Sequence, residues 1–234
     1  MKKLLPIAVV LVLVVVLVFV IFGGNKQNVP DENNGVVSGD INKETENNNI
    51  FDDGKITVDK VRNASETSAD NFTTETVDGG ISLDRYNGNS EIVVIPDEID
   101  GMPVVEIGEM CFANNKEIKG VKVCDNVTVV EENAFANCIN LEIFISGKNV
   151  KTVENYSFIN CQSLEYVELN EGMKSLGMTC FGATDSLEEV YMPASITELD
   201  SPFLESETNV TILCESGSAA ETYAKENGIK YEIK

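Results

Sequence analysis

The sequence contains no histidine, and this absence removes the commonest general base and the commonest metal ligand. It also contains no G-x-x-x-x-G-K-[ST] phosphate loop, no H-E-x-x-H metal motif and no G-x-S-x-G nucleophile turn. No two of its six cysteines form a C-x-x-C pair, so the usual spacing of a zinc site is missing. We therefore predict that the protein is not an enzyme and needs no cofactor or metal.

Basic residues are scarce, with 17 lysines and arginines against 39 acidic residues and a net charge of -22. Such an acidic surface repels nucleic acid and anionic lipid headgroups, so we predict no nucleic-acid partner. Neighbouring acids such as Glu131-Glu132 and Glu188-Glu189 raise the alternative of glycoside hydrolysis. That reaction needs two carboxyl groups facing each other across a cleft of about 5 to 10 Å, and we interpret these pairs as a solvated acidic face.

One long hydrophobic run is present, and it covers the 19 residues from Leu4 to Phe22 directly after two lysines. At about 1.5 Å per residue, a helix of this length matches the hydrocarbon core of a bilayer. The alternative is a cleaved signal peptide, whose apolar region is usually shorter and is followed by small residues. We predict an uncleaved transmembrane signal anchor within residues 1–24. The positive-inside rule then places the N-terminus in the cytoplasm and the rest of the chain outside the cell.

Residues 25–70 are polar and acidic, with ten acidic and five basic side chains, and they predict a flexible linker. A short strand over Lys55–Val61 is the one element that the pattern offers there. The fragment Asp53-Gly54 resembles the middle of a calcium loop. However, Phe51 and Lys60 occupy two of the positions that would have to supply ligands, which favours a polar linker.

The dominant feature is a pattern of side chains that returns every 23 residues through four units in residues 104–196. The first position of the pattern is held by Phe112, Phe135, Phe158 and Phe181, and the position six places later by Ile118, Leu141, Leu164 and Leu187. A constant period in this range indicates a solenoid whose units share one continuous core. Alternation at the end of each unit predicts one strand per repeat, so that about six strands form a parallel sheet on one side. The spacing around each phenylalanine predicts short helical or irregular arms on the other side.

The segments that flank the repeats are predicted to cap the solenoid. In residues 71–103, two alternating runs joined by Asp78-Gly79-Gly80 predict a hairpin that closes the open edge of the sheet, followed by a first strand. Residues 197–234 are predicted to form a degenerate repeat and a C-terminal cap. In that cap, the Ser218 to Glu221 spacing is a capping box that opens a helix ending before Gly228.

Several motifs within the repeats resemble the BspA-like leucine-rich repeat family. They include a cysteine three places after the phenylalanine at Cys138 and Cys161, the run from Leu164 to Leu169, and Pro193 after a strand. The flanking motifs Tyr86-Asn87-Gly88-Asn89 and the run from Gly217 to Ala224 resemble that family too. Asn115 and Thr184 depart from the cysteine pattern. The resemblance covers residues 71–234 and implies a leucine-rich-repeat solenoid (α/β, mainly β). It also implies a bacterial or protist surface protein that binds host proteins or other cells.

The positions of the cysteines follow the repeat. Cys138 and Cys161 are registered neighbours, which about 4.8 Å of strand spacing brings close enough to bridge, but free cysteine also packs as a small hydrophobic residue. We predict buried free thiols at these repeat positions, and we predict that Cys124 and Cys214 are more exposed.

The outward face of the predicted sheet is the candidate surface for binding. The candidate partner-binding residues are Lys122, Ile143, Ile145, Tyr166, Glu168, Glu189 and Tyr191. They mix aromatic, aliphatic and charged groups, as interfaces do, although cross-strand pairing that only stabilises the sheet gives the same pattern. We predict a membrane-anchored extracellular module for cell-surface protein–protein interaction or adhesion, whose partner is an extracellular protein or cell-surface macromolecule. The alternative is a structural spacer or scaffold of the cell envelope without a specific ligand.

Overall fold

The structure is a computed structural model that describes residues 55–204 and 209–234. The predicted signal anchor in residues 1–24 and the predicted linker up to residue 54 lie outside the described residues. Within the described ranges, no helix has the length and apolar character needed to cross a membrane.

Short strands dominate the described chain. They are β1 (Phe72–Val77), β2 (Gly80–Tyr86), β3 (Ile92–Val94), β4 (Glu98–Ile99), β5 (Met102–Ile107), β6 (Gly120–Lys122), β7 (Val129–Val130), β8 (Ile143–Ile145), β9 (Thr152–Val153), β10 (Tyr166–Glu168), β11 (Ser175–Leu176), β12 (Glu189–Met192), β13 (Glu198–Leu199), β14 (Thr211–Cys214) and β15 (Lys230–Ile233). The helices are α1 (Val58–Arg62), a 3₁₀ turn at Ala69–Asn71 and α2 (Ala219–Asn227).

The strands form two parallel ladders, so each repeat contributes two strands where the sequence predicted one. We call β3, β6, β8 and β10, together with β12, β14 and β15, the front face. The back sheet has the order β1-β2-β5-β7-β9-β11-β13, with β4 paired to β5. The back strands of the inner repeats are only two residues long, which is too short for a recognisable alternation.

Both ladders keep the 23-residue register. On the front face Val121 pairs with Phe144 and Phe144 with Val167, and the back sheet pairs residues in the same way, for example Val130 with Val153. The predicted mainly-β solenoid is therefore confirmed. The segments around the phenylalanines are turns rather than helices throughout residues 104–196.

The repeat phenylalanines form one buried stack that runs through the core. Ring centroids are 4.8 Å apart between Phe112 and Phe135, 5.0 Å between Phe135 and Phe158, and 5.5 Å between Phe158 and Phe181. Phe203 of the degenerate repeat extends the stack at 5.9 Å. Because these rings stack at the spacing of neighbouring coils, each repeat buries the apolar side of the next.

Both predicted caps are present. β1 and β2 form the antiparallel hairpin, and Tyr86 at its end places its ring 5.1 Å from that of Phe112. At the other end, Ser218 Oγ accepts a hydrogen bond of 3.1 Å from the Glu221 amide, and α2 ends at Gly228, whose φ is 67°. A glycine suits this left-handed C-terminal position because it has no Cβ.

Two residues of every repeat are left-handed at the turns, and the second of them forms a row that is mostly asparagine. Its φ is 63° at Asn114, 61° at Asn137, 60° at Asn160 and 55° at Ala183. Asn160 Nδ2 also donates a hydrogen bond of 2.8 Å to Asn137 Oδ1 in the neighbouring repeat. Asparagine tolerates this conformation better than alanine, so Ala183 is a strained member of the row.

We expect Ala183→Asn to raise the free energy of unfolding by about 0.5–1 kcal/mol, because asparagine relieves part of the cost of a left-handed alanine. The matched change Asn137→Ala should lower it by at least as much, since it also removes the bond from Asn160. Denaturant titration followed by circular dichroism measures both values. An unchanged midpoint in both variants would contradict the argument.

All six cysteines are buried and free. Cys138 Sγ lies 3.1 Å from the Phe112 carbonyl oxygen and Cys161 Sγ lies 3.2 Å from that of Phe135, so each thiol donates to a backbone acceptor instead of bridging. The expectation that Cys124 and Cys214 are more exposed is wrong, because they are only 8% and 0% exposed. Cys214 lies in β14 between two paired strands, and the Cys124 backbone is packed against Gly147.

Burial also raises the pKa of several thiols, including that of Cys180 and that of Cys124, the latter to about 11. We therefore expect a chromogenic disulfide reagent at neutral pH to modify essentially none of the six cysteines in the folded chain, because all six side chains are buried and inaccessible to the reagent. In guanidinium all six should react. Rapid reaction of two thiols in the folded protein would show that Cys124 and Cys214 are accessible after all.

Candidate partner-binding face

The front strands β6, β8 and β10 bring five of the predicted binding residues into two rows. Lys122, Ile145 and Glu168 pair in register across β6, β8 and β10, and Ile143 pairs with Tyr166 in the neighbouring row. Gly120 completes that second row on β6. These placements agree with the predicted register of the ladders.

The ladder is interrupted beyond β10. Glu189 and Tyr191 lie on β12, which pairs with β14 and not with β10. The predicted uninterrupted sheet of about six strands is therefore wrong at this step. At the interruption, Glu165 and Glu188 occupy equivalent positions in successive repeats.

Part of the predicted linker is folded. Residues 55–62, which we call the cover segment, include helix α1, and the Thr57 side chain caps this helix by accepting a 3.2 Å hydrogen bond from the Lys60 amide. The expectations of a flexible linker through residue 70 and of a strand over Lys55–Val61 are thus wrong for this segment. The physical reason is that Ile56 and Val61 are buried at 6% and 0% exposure.

The cover segment lies on the front face through an apolar contact. Ile56 and Val61 form a cluster with Ile143 and Ile145 that is separate from the main core. Ile143 and Ile145 are each only 5% exposed as a result. A Cβ at Gly120 would lie 2.4 Å from Val61 Cγ2, so the missing side chain at that position leaves the space that Val61 fills.

Polar contacts surround this apolar cluster. Lys122 Nζ donates a 2.9 Å hydrogen bond to the carbonyl oxygen of Arg62, at the C-terminal end of α1, where a cation is favoured. The Arg62 guanidinium forms an ion pair with Glu168, and this pair raises the pKa of Arg62. Lys55 Nζ lies 3.6 Å from Glu165 Oε2. Because these ion pairs are well exposed, they orient the cover segment on the front face but contribute little to its stability.

Tyr166 stands at the boundary of the covered region. It is half-buried beside the cover segment, and its hydroxyl donates a 2.9 Å hydrogen bond to Glu168 Oε2. Burial, and then the hydrogen bond to Glu168, raise its pKa. The Glu168 carboxylate therefore accepts hydrogen bonds from both the Tyr166 hydroxyl and the Arg62 guanidinium.

Beyond Tyr166 the front face is open. A cleft of about 460 Å³, which we call the open cleft, lies where β10 and β12 fail to pair. It is lined by Glu165, Tyr166, Val167, Glu168, Leu169, Glu188, Glu189, Tyr191, Leu213 and Lys234. Four glutamates and two tyrosines therefore face one cleft, and of these Glu165, Glu188 and Glu189 are exposed.

Tyr191 is the second aromatic residue of the open cleft. Its hydroxyl lies 3.3 Å from Glu215 Oε1 on the neighbouring segment. Burial, together with the charges of Glu171 and Glu215, raises its pKa to about 12. At neutral pH the side chain is therefore a neutral hydrogen-bond donor beside carboxylates, so the cleft keeps its net negative charge.

In the two described ranges, no group of three or more acidic or cysteine side chains is arranged to hold a metal ion. Of the predicted binding residues, Lys122, Ile143, Ile145, Tyr166 and Glu168 lie under or beside the cover segment, and Glu189 and Tyr191 lie in the open cleft. Their role in binding a partner stays a prediction. The residues that sequence reasoning missed are Ile56, Val61 and Arg62, and the small residue Gly120 in a row of large ones was the available signal.

A family model of the BspA type leucine-rich repeat region matches residues 86–211 in six copies. The chain belongs to this family of bacterial leucine-rich repeats. The match begins at the end of the hairpin and ends at the start of β14, so it covers the repeats and the strands from β3 to β13.

Several solved structures also resemble this chain. A leucine-rich repeat protein of T. pallidum is 26% identical with a TM-score of 0.60, and the match covers 64% of this chain and 71% of that one. A leucine-rich cell surface protein of Faecalibacterium prausnitzii is 19% identical with a TM-score of 0.54, covering 73% and 47%. The pneumococcal vaccine antigen PcpA is 16% identical with a TM-score of 0.51, covering 71% and 49%.

These two larger proteins are matched over about half of their length, and at their low identity they support the fold alone. A comparison with curated protein sequences found no significant match.

The raised pKa of Tyr191 predicts how stability depends on pH. The folded state favours the neutral phenol, so its contribution is complete below the unfolded pKa of about 10 and is lost as pH rises through about 12. We expect the ultraviolet difference between wild type and Tyr191→Phe to report a phenol that ionises near pH 12. A midpoint at the value of a free tyrosine would contradict the described surroundings of Tyr191.

Proposed function

We propose that the protein is a membrane-anchored module that binds an extracellular protein, and that it recognises a basic segment of that partner in the open cleft. In this proposal the apolar run in residues 4–22 spans the membrane with the N-terminus in the cytoplasm. The repeat domain then lies outside the cell beyond a polar spacer. Family membership and the surface location named for the F. prausnitzii structure support this arrangement.

The observation that carries the proposal is that the front face already holds a short peptide, the cover segment of its own chain. That segment places cations against glutamates, with Lys55 near Glu165 and Arg62 on Glu168. The open cleft continues the same face with further exposed carboxylates at Glu188 and Glu189. A partner segment with lysine or arginine side chains meets complementary charge there.

The tyrosines supply the contact area of the proposed site. Tyr166 and Tyr191 line the cleft from opposite sides of the interruption between β10 and β12. Each presents a large ring with a neutral hydroxyl, which is the combination favoured at protein interfaces. Leucine-rich-repeat solenoids generally act as binding modules, so the proposed role requires no catalysis.

A peptide-display selection against the purified chain tests this proposal. We expect selected peptides to be enriched in lysine and arginine and to bind saturably, with an affinity that falls as salt rises. Binding should drop at least tenfold in Tyr166→Ser/Tyr191→Ser and in Glu188→Gln/Glu189→Gln, because the first pair removes ring contacts and the second removes cleft charge.

The charge-matched control is Glu75→Gln/Glu226→Gln, which removes two exposed carboxylates outside the cleft and should leave binding unchanged. Circular dichroism verifies that every variant stays folded. If no peptide is enriched, or if both glutamate pairs weaken binding equally, specific recognition in the cleft is refuted. The first of these results would favour a structural spacer of the cell envelope.

A further inference from the structure

We infer that the covered part of the front face is a second peptide-docking site, which the cover segment fills until a partner segment of the same chemistry displaces it. That partner segment is a short helical turn with two aliphatic residues five positions apart and a cation directly after the second. The inference extends the proposed binding role to a different part of the face, and its test does not depend on the open cleft.

The site contains a small apolar space beside Gly120, which we call the socket. In the row formed by residues 120, 143, 166 and 189, only the first position is a glycine. The nearest atoms to a Cβ placed there all belong to Val61 and Ile56 of the cover segment, at 2.4, 3.5 and 3.6 Å. The rest of the domain therefore leaves this space empty, and its occupant is an aliphatic side chain from outside the repeats.

The ligand chemistry follows from the contacts that surround the socket. Ile143 and Ile145 bind the two aliphatic side chains, and both would become exposed apolar groups if the segment left. Lys122 donates to the carbonyl oxygen at the end of α1, and Glu168 pairs with the cation that follows Val61. Together these four residues recognise two aliphatic groups, a helix C-terminus and a positive charge.

The cover segment is poorly suited to remain in place permanently. Helix α1 has five residues, which is far below the length at which an isolated helix is stable in water. Its two buried side chains belong to a cluster separate from the main core, so its departure leaves the stack of phenylalanines closed. Its ion pairs are well exposed and therefore weak.

The residues after the cover segment are held on β3 by hydrogen bonds of their own. The Thr67 amide donates a 3.0 Å hydrogen bond to the Val94 carbonyl oxygen, and the Val94 amide donates a 3.0 Å bond to Thr67 Oγ1. Residues 63–66 connect this pair of hydrogen bonds to α1. Within these residues, Asn63, Ser65 and Glu66 are exposed. The segment can leave the face while the hydrogen bonds between Thr67 and Val94 of the edge strand β3 remain.

A labelled peptide with the sequence of residues 55–66 tests the inference in the full chain. We expect it to bind the opened variant Ile56→Ser/Val61→Ser saturably, because that variant's own segment no longer competes for the socket. Binding to the wild-type chain should be at least tenfold weaker, since the free site is present only in the small fraction of molecules whose cover is open. Fluorescence anisotropy measures both affinities.

Two controls make the result specific. Adding Gly120→Val to the opened variant should abolish peptide binding, because the three atoms nearest to an added Cβ all belong to the cover segment. Circular dichroism verifies that this variant stays folded. The change Asp59→Asn, at an exposed position of α1, should leave wild-type behaviour unchanged.

The inference is overturned if the opened, folded variant binds no peptide, or if Gly120→Val leaves its binding intact. It is also overturned if sedimentation shows a wild-type dimer that the opened variant loses, because the occupant would then be the segment of a second copy. None of these outcomes bears on the peptides selected by the open cleft, so the two proposals fail separately.

Discussion

The stacking of one phenylalanine on the next at a constant 23-residue register is the interaction on which the rest of the structure depends. The rings from Phe112 to Phe203 lie at successive coils, with centroids 4.8 to 5.9 Å apart. Because the four repeats in residues 104–196 have the same length, residues 23 apart also align on the surface and form rows. Those rows turn a periodic sequence into an extended face with a defined order of side chains.

That face has two chemically different parts. The part over β6 and β8 is apolar at its centre and is occupied by Ile56 and Val61. The part between β10 and β12 is acidic, open and flanked by two tyrosines. Glu168 belongs to both, because it binds Arg62 of the cover segment and also lines the open cleft. In the two proposals both parts favour a peptide that carries positive charge, and only the covered part also selects for aliphatic side chains.

Features that depend on residues close together in the sequence, or on the repeat itself, could be predicted from the sequence. The hairpin, the capping of α2 and the register of the ladders follow from short motifs and a fixed period. The two-residue back strands escaped prediction because alternation needs more residues to be visible. The folded cover segment escaped because the burial of Ile56 and Val61 is decided by residues such as Gly120 and Ile143, more than fifty positions away. The exposure of Cys124 and Cys214 was misjudged for the same reason, since long-range packing buries them.

The most direct test of the central claim is a nuclear Overhauser experiment on the full chain with labelled isoleucine, valine and phenylalanine. The account predicts cross-peaks from the Val61 methyl groups to Ile143 and to the α protons of Gly120, together with cross-peaks between stacked phenylalanine rings. The account is contradicted if the Val61 methyl groups have the shifts of an unfolded peptide and show no contact with the front face.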